Sequence, residues 1–149
     1  MAPDDVSARS HLPASADEWI RTPVGEHVEV QSASGGTGVA TALVGGAPIL
    51  PVRPGELSGP SLGVTLEAWG PAGGPVRGQT AELVIIRPMP SMPLHFWNDA
   101  GGSRHNDSYF PACPGLRRHY DRVTMTQRGT VIVNSRPDST LNRPGVRIG

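Results

Sequence analysis

Residues 118–149, RHYDRVTMTQRGTVIVNSRPDSTLNRPGVRIG, decide which fold to expect. Two runs rich in β-branched side chains, residues 122–126 and 130–133, are separated by three residues that end in Gly129. β-Branched side chains favour strands, and glycine accepts the positive φ that a short hairpin loop needs. We therefore predict that the two runs pair as an antiparallel hairpin.

Charged groups flank this predicted hairpin. Asp121 lies at the start of the first run, and Arg136 and Asp138 follow the second run. A carboxylate that accepts hydrogen bonds and a guanidinium that donates them could together bind a polar ligand. From the residues alone, a turn cap at Asp121 and a solvated charge at Arg136 are the favoured interpretations.

Further strands are expected upstream of the hairpin. Residues 27–32, 64–69 and 81–86 are alternating or apolar over the length of a strand, and turn residues bound them. Residues 34–38, SGGTG, form a tight loop whose glycines allow backbone N–H groups to approach a phosphate or carboxylate. The predicted fold is mainly β, an antiparallel meander that is part of a small barrel.

One short helix is predicted near the N-terminus. Ser15 and Glu18 have the spacing of a capping box, and Pro23 is expected to end the helix. Trp19 is expected to anchor the helix to the rest of the protein. The polar residues 1–11 are expected to be a disordered leader.

Composition excludes several classes of function. Thirteen basic and thirteen acidic residues balance, so no net charge favours nucleic acid or an anionic membrane as a partner. All thirteen basic residues are arginine, which excludes Schiff-base chemistry and lysine contacts to phosphate. No apolar run approaches the ~20 residues of a membrane span. Cys113 has no intrachain disulfide partner, so the cytoplasm is the expected compartment.

Two further patterns point to other chemistry. Residues 59–63, GPSLG, match a nucleophile motif around Ser61, but a strand is expected after the serine where the motif requires a helix. His-x-Asp pairs at 105–107 and 119–121 carry the imidazole and carboxylate ligands that suit zinc or iron. Ser61 is therefore not expected to be catalytic, whereas a small metal-binding β protein stays open as an alternative.

Several motifs resemble the adenylate-forming acyl-CoA synthetases and, within them, the acetoacetyl-CoA synthetases. Residues 118–121, RHYD, are similar to an Arg-His-Gly-Asp segment of the family. Residues 135–147, SRPDSTLNRPGVR, are similar to its Gly-Arg-x-Asp-x-x-Leu-Asn-x-x-Gly-x-Arg segment. The resemblance continues upstream in SGGT at 34–37 and RPMPSMP at 87–93. It covers residues 12–149.

The resemblance implies an ATP-dependent acetoacetate–CoA ligase, which forms an acyl-adenylate and then a thioester. ATP or AMP and CoA are the implied cofactors, and small molecules are the implied partners. Residues 12–134 would end the large AMP-binding domain and include its β-barrel subdomain. Residues 135–149 would form the hinge and the start of the C-terminal domain.

The resemblance also implies roles for individual residues. Asp121 would accept hydrogen bonds from both ribose hydroxyls, and Arg136 would contact ribose or phosphate. Asp138 would be the hinge residue, and Gly145 would face the pantetheine of CoA. The implied nucleotide-binding set is Gly35, Gly36, Thr37, Asp121 and Arg136.

The chain departs from the family pattern at several positions. Gly38 stands where the family has an acidic residue that helps to hold Mg²⁺, which puts that metal site in doubt. Tyr120 and Ser135 stand where the family has glycine, at positions that need backbone freedom or space. The family's phosphate-binding loop ends in lysine, and a second lysine contacts the reacting carboxylate. A chain without lysine is therefore predicted to be inactive alone, and a non-catalytic nucleotide- or protein-binding β module is the alternative.

Overall fold

The computed structural model describes residues 5–8, 12–25, 27–111, 115–135, 141–143 and 146–148. These residues contain helices α1 (Ala14–Val24) and α2 (Ser103–Tyr109) and a short 3-10 helix at Thr37–Val39. The prediction of a mainly β structure with a short N-terminal helix is confirmed. The strands are β1 (Asp5–Ala8), β2 (Glu29–Ser32), β3 (Ser34–Gly36), β4 (Thr41–Gly45), β5 (Gly59–Pro60), β6 (Leu66–Trp69), β7 (Thr80–Ile85), β8 (Arg117–Met125), β9 (Val131–Ser135), β10 (Leu141–Arg143) and β11 (Val146–Ile148).

The largest sheet has the order β6-β7-β8-β9, and each neighbouring pair is antiparallel. In the β8–β9 hairpin, Val123 pairs with Val133 and Met125 with Val131. Gly129 has a φ of 89°, in the left-handed region that favours glycine. The predicted hairpin is confirmed, and so is the prediction that Gly129 supplies the positive φ of its loop.

A second antiparallel sheet, β3-β4-β5, packs against the first. Leu57 joins the two sheets, because it exchanges two backbone hydrogen bonds with Val131 of β9, at 2.8 and 2.9 Å. Leu43 of β4 and Leu83 of β7 belong to the same buried apolar cluster. Burying each such side chain contributes about 1.5–3 kcal/mol, so the shared core fixes one sheet on the other.

Residues 5–8 are a strand, so the expectation of a disordered leader is wrong for them. β1 pairs in parallel with β2, and Val6 is in register with Val30. An unpaired strand edge presents backbone N–H and C=O groups that favour pairing with another segment. The remainder of 1–11 lies outside the described residues.

Helix α1 differs in detail from its prediction. Ser15 makes no cap bond, and Pro13 is the N-cap residue, its carbonyl accepting the first backbone bonds. The helix continues through Pro23 to its end. Trp19 is 74% exposed and so does not anchor the helix, whereas Asp17 is 4% exposed. In the described part of the chain, neither helix is long and apolar enough to cross a lipid bilayer.

The segment around Ser61 has the structure expected of a loop. Ser61 follows β5 and donates its backbone N–H to Leu43 at 2.9 Å. The next element is the strand β6. A nucleophile elbow needs a helix directly after its serine, so the motif at 59–63 does not have that context.

Glu56 links the loop before β5 to the turn of the β8–β9 hairpin. Its carboxylate accepts hydrogen bonds from Thr130 Oγ1 at 2.6 Å and from the Arg128 guanidinium at 2.7 Å. The hydrogen bond from Thr130, with help from Arg128, lowers the pKa of Glu56 below its ordinary value. The ionised carboxylate therefore stabilises this junction.

The variant Glu56→Gln is expected to lower the free energy of unfolding at neutral pH by about 1 kcal/mol, because it loses a charge-assisted hydrogen bond. A carboxyl with a lowered folded-state pKa stabilises the protein above its unfolded pKa, and this contribution disappears as the pH falls through the folded pKa. Urea unfolding should therefore show a smaller difference between parent and variant below about pH 4. Glu18→Gln, at an exposed position, is the control. A difference that is equal at both pH values would reject this role.

Candidate functional site

A bulge in β8 positions the residue predicted to bind ribose. β7 and β8 lose register between residues 82 and 84, where one residue of β7 faces residues 119–121 of β8. Extra residues in one strand bend it and redirect its side chains. Asp121, at the end of the bulge, is 1% exposed.

Asp121 is in contact with the other sheet. Ser34 Oγ, at the start of β3, donates a hydrogen bond to Asp121 Oδ2 at 3.1 Å. His119 Nε2 lies 3.4 Å from the same oxygen. The structure therefore brings the glycine segment and the predicted ribose acceptor together.

Gly35 of β3 faces backbone atoms that leave no space for a side chain, and Gly36 faces the ring of His119. A Cβ atom at Gly35 would lie 2.2 Å from the carbonyl oxygen of Thr41. A Cβ atom at Gly36 would lie 2.9 Å from Cε1 of His119. Thr37 follows them with an exposed side chain. Gly35, Gly36 and Thr37 thus run beside the β8 bulge.

Tyr120 occupies the left-handed region of backbone conformation, with a φ of 68°. This conformation costs a non-glycine residue about 1–2 kcal/mol. The Tyr120 hydroxyl donates to the carbonyl of Ser108 in α2, and the Arg118 guanidinium lies 5.1 Å from the centre of the ring. The need for backbone freedom at this position is confirmed, and the tyrosine makes contacts that a glycine could not.

Helix α2 packs beside the site, and the sequence-based prediction lacks it. The carboxylate of Asp99 accepts the backbone N–H groups of Arg104 and His105, at 3.3 and 2.9 Å. The His105 ring is buried 5.3 Å from the centre of Phe96 and 5.4 Å from that of Tyr109. An acidic residue ahead of a polar run is the signal that could have indicated this helix start.

The two His-x-Asp pairs have different geometries. His105 is buried among aromatic rings while Asp107 is exposed, so the side chains of that pair do not converge. His119 and Asp121 do converge. Across the residues whose placement is described, no group of three or more His, Cys, Asp and Glu side chains could hold a metal ion.

Arg117 is a candidate that the sequence did not single out. It is 3% exposed, and its guanidinium carbon lies 3.8 Å from the centre of the Tyr109 ring. Its Nη2 would lie 3.3 Å from a Cβ atom at Gly38. Burial lowers the pKa of Arg117 from its ordinary value. The neighbouring Arg118 instead forms two hydrogen bonds with Glu82.

Three predicted site residues, Arg136, Asp138 and Gly145, lie outside the described residues. Around them, β10 and β11 pair in antiparallel fashion, with Leu141 opposite Ile148. The roles of these three residues stay predictions.

Comparison with known proteins identifies several similar sequences. No family model matches the chain. The acetoacetyl-coenzyme A synthetase of Rhizobium meliloti is 38% identical over 143 residues, which are 96% of this chain and 22% of that protein. The acetoacetyl-CoA synthetase of Gallus gallus is 37% identical over 145 residues, 97% of this chain and 22% of that protein.

Solved structures show the same similarity. The acetoacetyl-CoA synthetase from Streptomyces lividans matches with a TM-score of 0.79 and 45% identity over 97% of this chain. A benzoate CoA ligase from Burkholderia xenovorans shares the fold, with a TM-score of 0.66 and 22% identity. The chain spans 22% of the length of the Streptomyces protein. Over almost its whole length, this chain is therefore homologous to acetoacetyl-CoA synthetases, of which it spans about a fifth.

Proposed function

We propose that this chain forms part of the nucleotide site of an ATP-dependent acetoacetate–CoA ligase. The observation that carries the proposal is the hydrogen bond between Ser34 and Asp121, because it joins the glycine segment to a buried carboxylate in the β8 bulge. The acetoacetyl-CoA synthetases similar to this chain support the substrate class. ATP, when bound, supplies the adenylyl group that activates the acid.

Asp121 is proposed to orient the nucleotide through its ribose. A carboxylate has two acceptor oxygens, which match the two hydroxyl donors of the sugar. Because Asp121 is 1% exposed, the sugar must displace a neighbouring side chain. His119 is the neighbour that would have to move, because its Nε2 lies 3.4 Å from Asp121 Oδ2. Ser34 would keep its bond and hold the carboxylate in place.

The other roles follow from the same proposal. Gly35, Gly36 and Thr37 would border the phosphates, where the glycines leave room for a close approach. Arg136 would contact ribose or phosphate. Asp138 would be the hinge of a C-terminal domain that begins in residues 135–149, and Gly145 would face CoA. Location in the cytoplasm stays a prediction.

Mg²⁺ does not fit at Gly38. Glycine brings no carboxylate ligand, and Mg²⁺ prefers carboxylate and phosphate oxygens. The buried guanidinium of Arg117 lies beside Gly38, and a guanidinium has no acceptor atom to offer to a metal ion. No step of the proposed mechanism therefore uses a metal ion at this position.

A second candidate function is a nucleotide-binding module without catalysis. It is favoured by the complete absence of lysine from the 149 residues, since lysine is a common phosphate ligand. Both candidates require the same contact between Asp121 and the nucleotide. They differ in turnover, not in binding.

The variant Asp121→Asn is expected to bind AMP roughly ten- to a hundredfold more weakly than the parent, because an amide presents one acceptor oxygen in place of two. Isothermal titration calorimetry measures the two affinities. Asp107→Asn removes an exposed carboxylate from α2 and should bind AMP as the parent does. If AMP binds Asp121→Asn and the parent equally, Asp121 does not contact the ribose.

A further inference from the structure

We propose that Tyr120 is a positioning residue, which ties the β8 bulge to helix α2 and thereby directs the Asp121 carboxylate toward β3. The pattern of the family has glycine at this position, so the role does not come from the resemblance. It rests on the proposed function in one respect, because Asp121 is there assigned to the ribose. The contacts of Tyr120 themselves are independent of any nucleotide.

The first observation is the backbone conformation of Tyr120. Its φ is 68°, in the left-handed region, which is unfavourable for a residue that has a Cβ atom. Asp121 is the next residue along the chain, so the backbone rotation at Tyr120 decides the direction in which the Asp121 side chain points. A tyrosine therefore holds this direction only if other contacts stabilise the left-handed conformation.

The second observation is a pair of contacts that stabilise this conformation. The Tyr120 hydroxyl donates a hydrogen bond to the backbone carbonyl of Ser108 in α2. The Arg118 guanidinium lies over the Tyr120 ring, 5.1 Å from its centre, and donates two hydrogen bonds to the Glu82 carboxylate in β7. The ring is thus held at its hydroxyl by α2 and at its face by a cation that is itself fixed to β7.

The third observation is the division of contacts along the bulge. Tyr120 contacts α2, whereas its two neighbours in the chain contact β3. The His119 ring lies beside Gly36, and Ser34 Oγ donates to Asp121 Oδ2 at 3.1 Å. Without the anchor on α2, the backbone at Tyr120 would relax toward a negative φ and turn the Asp121 carboxylate away from Ser34.

Four variants separate the effects of the hydroxyl, the ring and the backbone conformation. Tyr120→Phe removes only the hydroxyl and its hydrogen bond. Tyr120→Ala keeps the unfavourable Cβ atom without any anchor, whereas Tyr120→Gly accepts a positive φ and needs no anchor. Ser108→Ala is the control, because it changes a side chain and leaves in place the backbone carbonyl that accepts the bond. Circular dichroism verifies that each variant is folded.

Calorimetric titration with AMP is the first measurement. Tyr120→Phe should bind AMP about three- to tenfold more weakly than the parent, because the loss of one hydrogen bond makes the competent direction of Asp121 less populated. Tyr120→Ala should bind at least as weakly. Tyr120→Gly and Ser108→Ala should stay within about twofold of the parent. If Tyr120 served only to fill space, Tyr120→Gly would bind most weakly of the four, and that order would overturn the proposal.

Hydrogen exchange without nucleotide tests the direction of Asp121 independently of the proposed function. In Tyr120→Phe, the backbone amides of β3 should exchange at least about threefold faster than in the parent, because Asp121 no longer holds Ser34. The amides of β6 should exchange at the parent rate. Unchanged exchange in β3 would overturn the proposal. Faster exchange in β3 together with no AMP binding by the parent would support it and reject the ribose role of Asp121, so the two proposals fail separately.

Discussion

The purified 149-residue chain is expected to catalyse no acetoacetate-dependent exchange of labelled pyrophosphate into ATP, even with Mg²⁺ present. Adenylation requires the charge of the leaving pyrophosphate to be stabilised while the carboxylate attacks. The chain has no lysine, and Gly38 brings no carboxylate for a metal ion. Removing one such group typically costs about 10²–10³ in rate, and several are absent together.

This assay needs a positive control and a blank. A full-length acetoacetyl-CoA synthetase assayed in parallel should exchange label, and reactions without acetoacetate set the background. Exchange by the 149-residue chain above that background, and lost in Asp121→Asn, would show that these residues are sufficient for adenylation. Exchange that persists in Asp121→Asn would instead indicate a contaminating enzyme.

The variant Gly35→Ala is expected to lower the free energy of unfolding by at least about 3 kcal/mol. The new Cβ atom would lie 2.2 Å from the Thr41 carbonyl oxygen and 2.7 Å from Cα of Ala42. Both are backbone atoms, so no side chain can rotate away. β3 and β4 must separate, and Ser34 moves with them away from Asp121.

Urea denaturation of Gly35→Ala measures this loss. Gly101→Ala is the matched control, because no atom lies within 4 Å of a Cβ atom placed at Gly101. The control should differ from the parent by less than about 0.5 kcal/mol. Equal denaturation midpoints for the two variants would show that β3 and β4 adapt more easily than their backbone spacing indicates.

The sequence predicts the parts of this fold that depend on neighbouring residues. The β8–β9 hairpin is correct because strand preference and Gly129 agree within a dozen residues. The end of helix α1 is not, because the helix includes Pro23 although proline brings no backbone donor, and it closes with the bond from the Gly25 N–H to the Arg21 carbonyl. Trp19 is exposed because its side chain is on the solvent side of the helix, which its residue type does not reveal.

The site was predictable only where a resemblance supplied long-range information. Asp121 and residues 35–37 were both marked by motifs, and the Ser34–Asp121 bond shows that the two segments meet. No motif indicated Arg117, because it is an arginine directly next to another arginine, Arg118. Burial and partners distinguish the two arginines, since Arg117 is buried against Tyr109 of α2 and Arg118 bonds to Glu82.

The bond between Ser34 and Asp121 also bears on the order in which the protein folds. It joins residues 87 positions apart, whereas the β8–β9 hairpin closes over the three residues 127–129. Short loops close within microseconds, and contacts distant in sequence must first overcome the entropy of a long loop. We therefore expect the hairpin to form early and β3 to dock late. A chain in which β3 detaches would keep its main sheet and still lose the contact between Ser34 and Asp121. Nucleotide binding would then be lost before the main sheet unfolds.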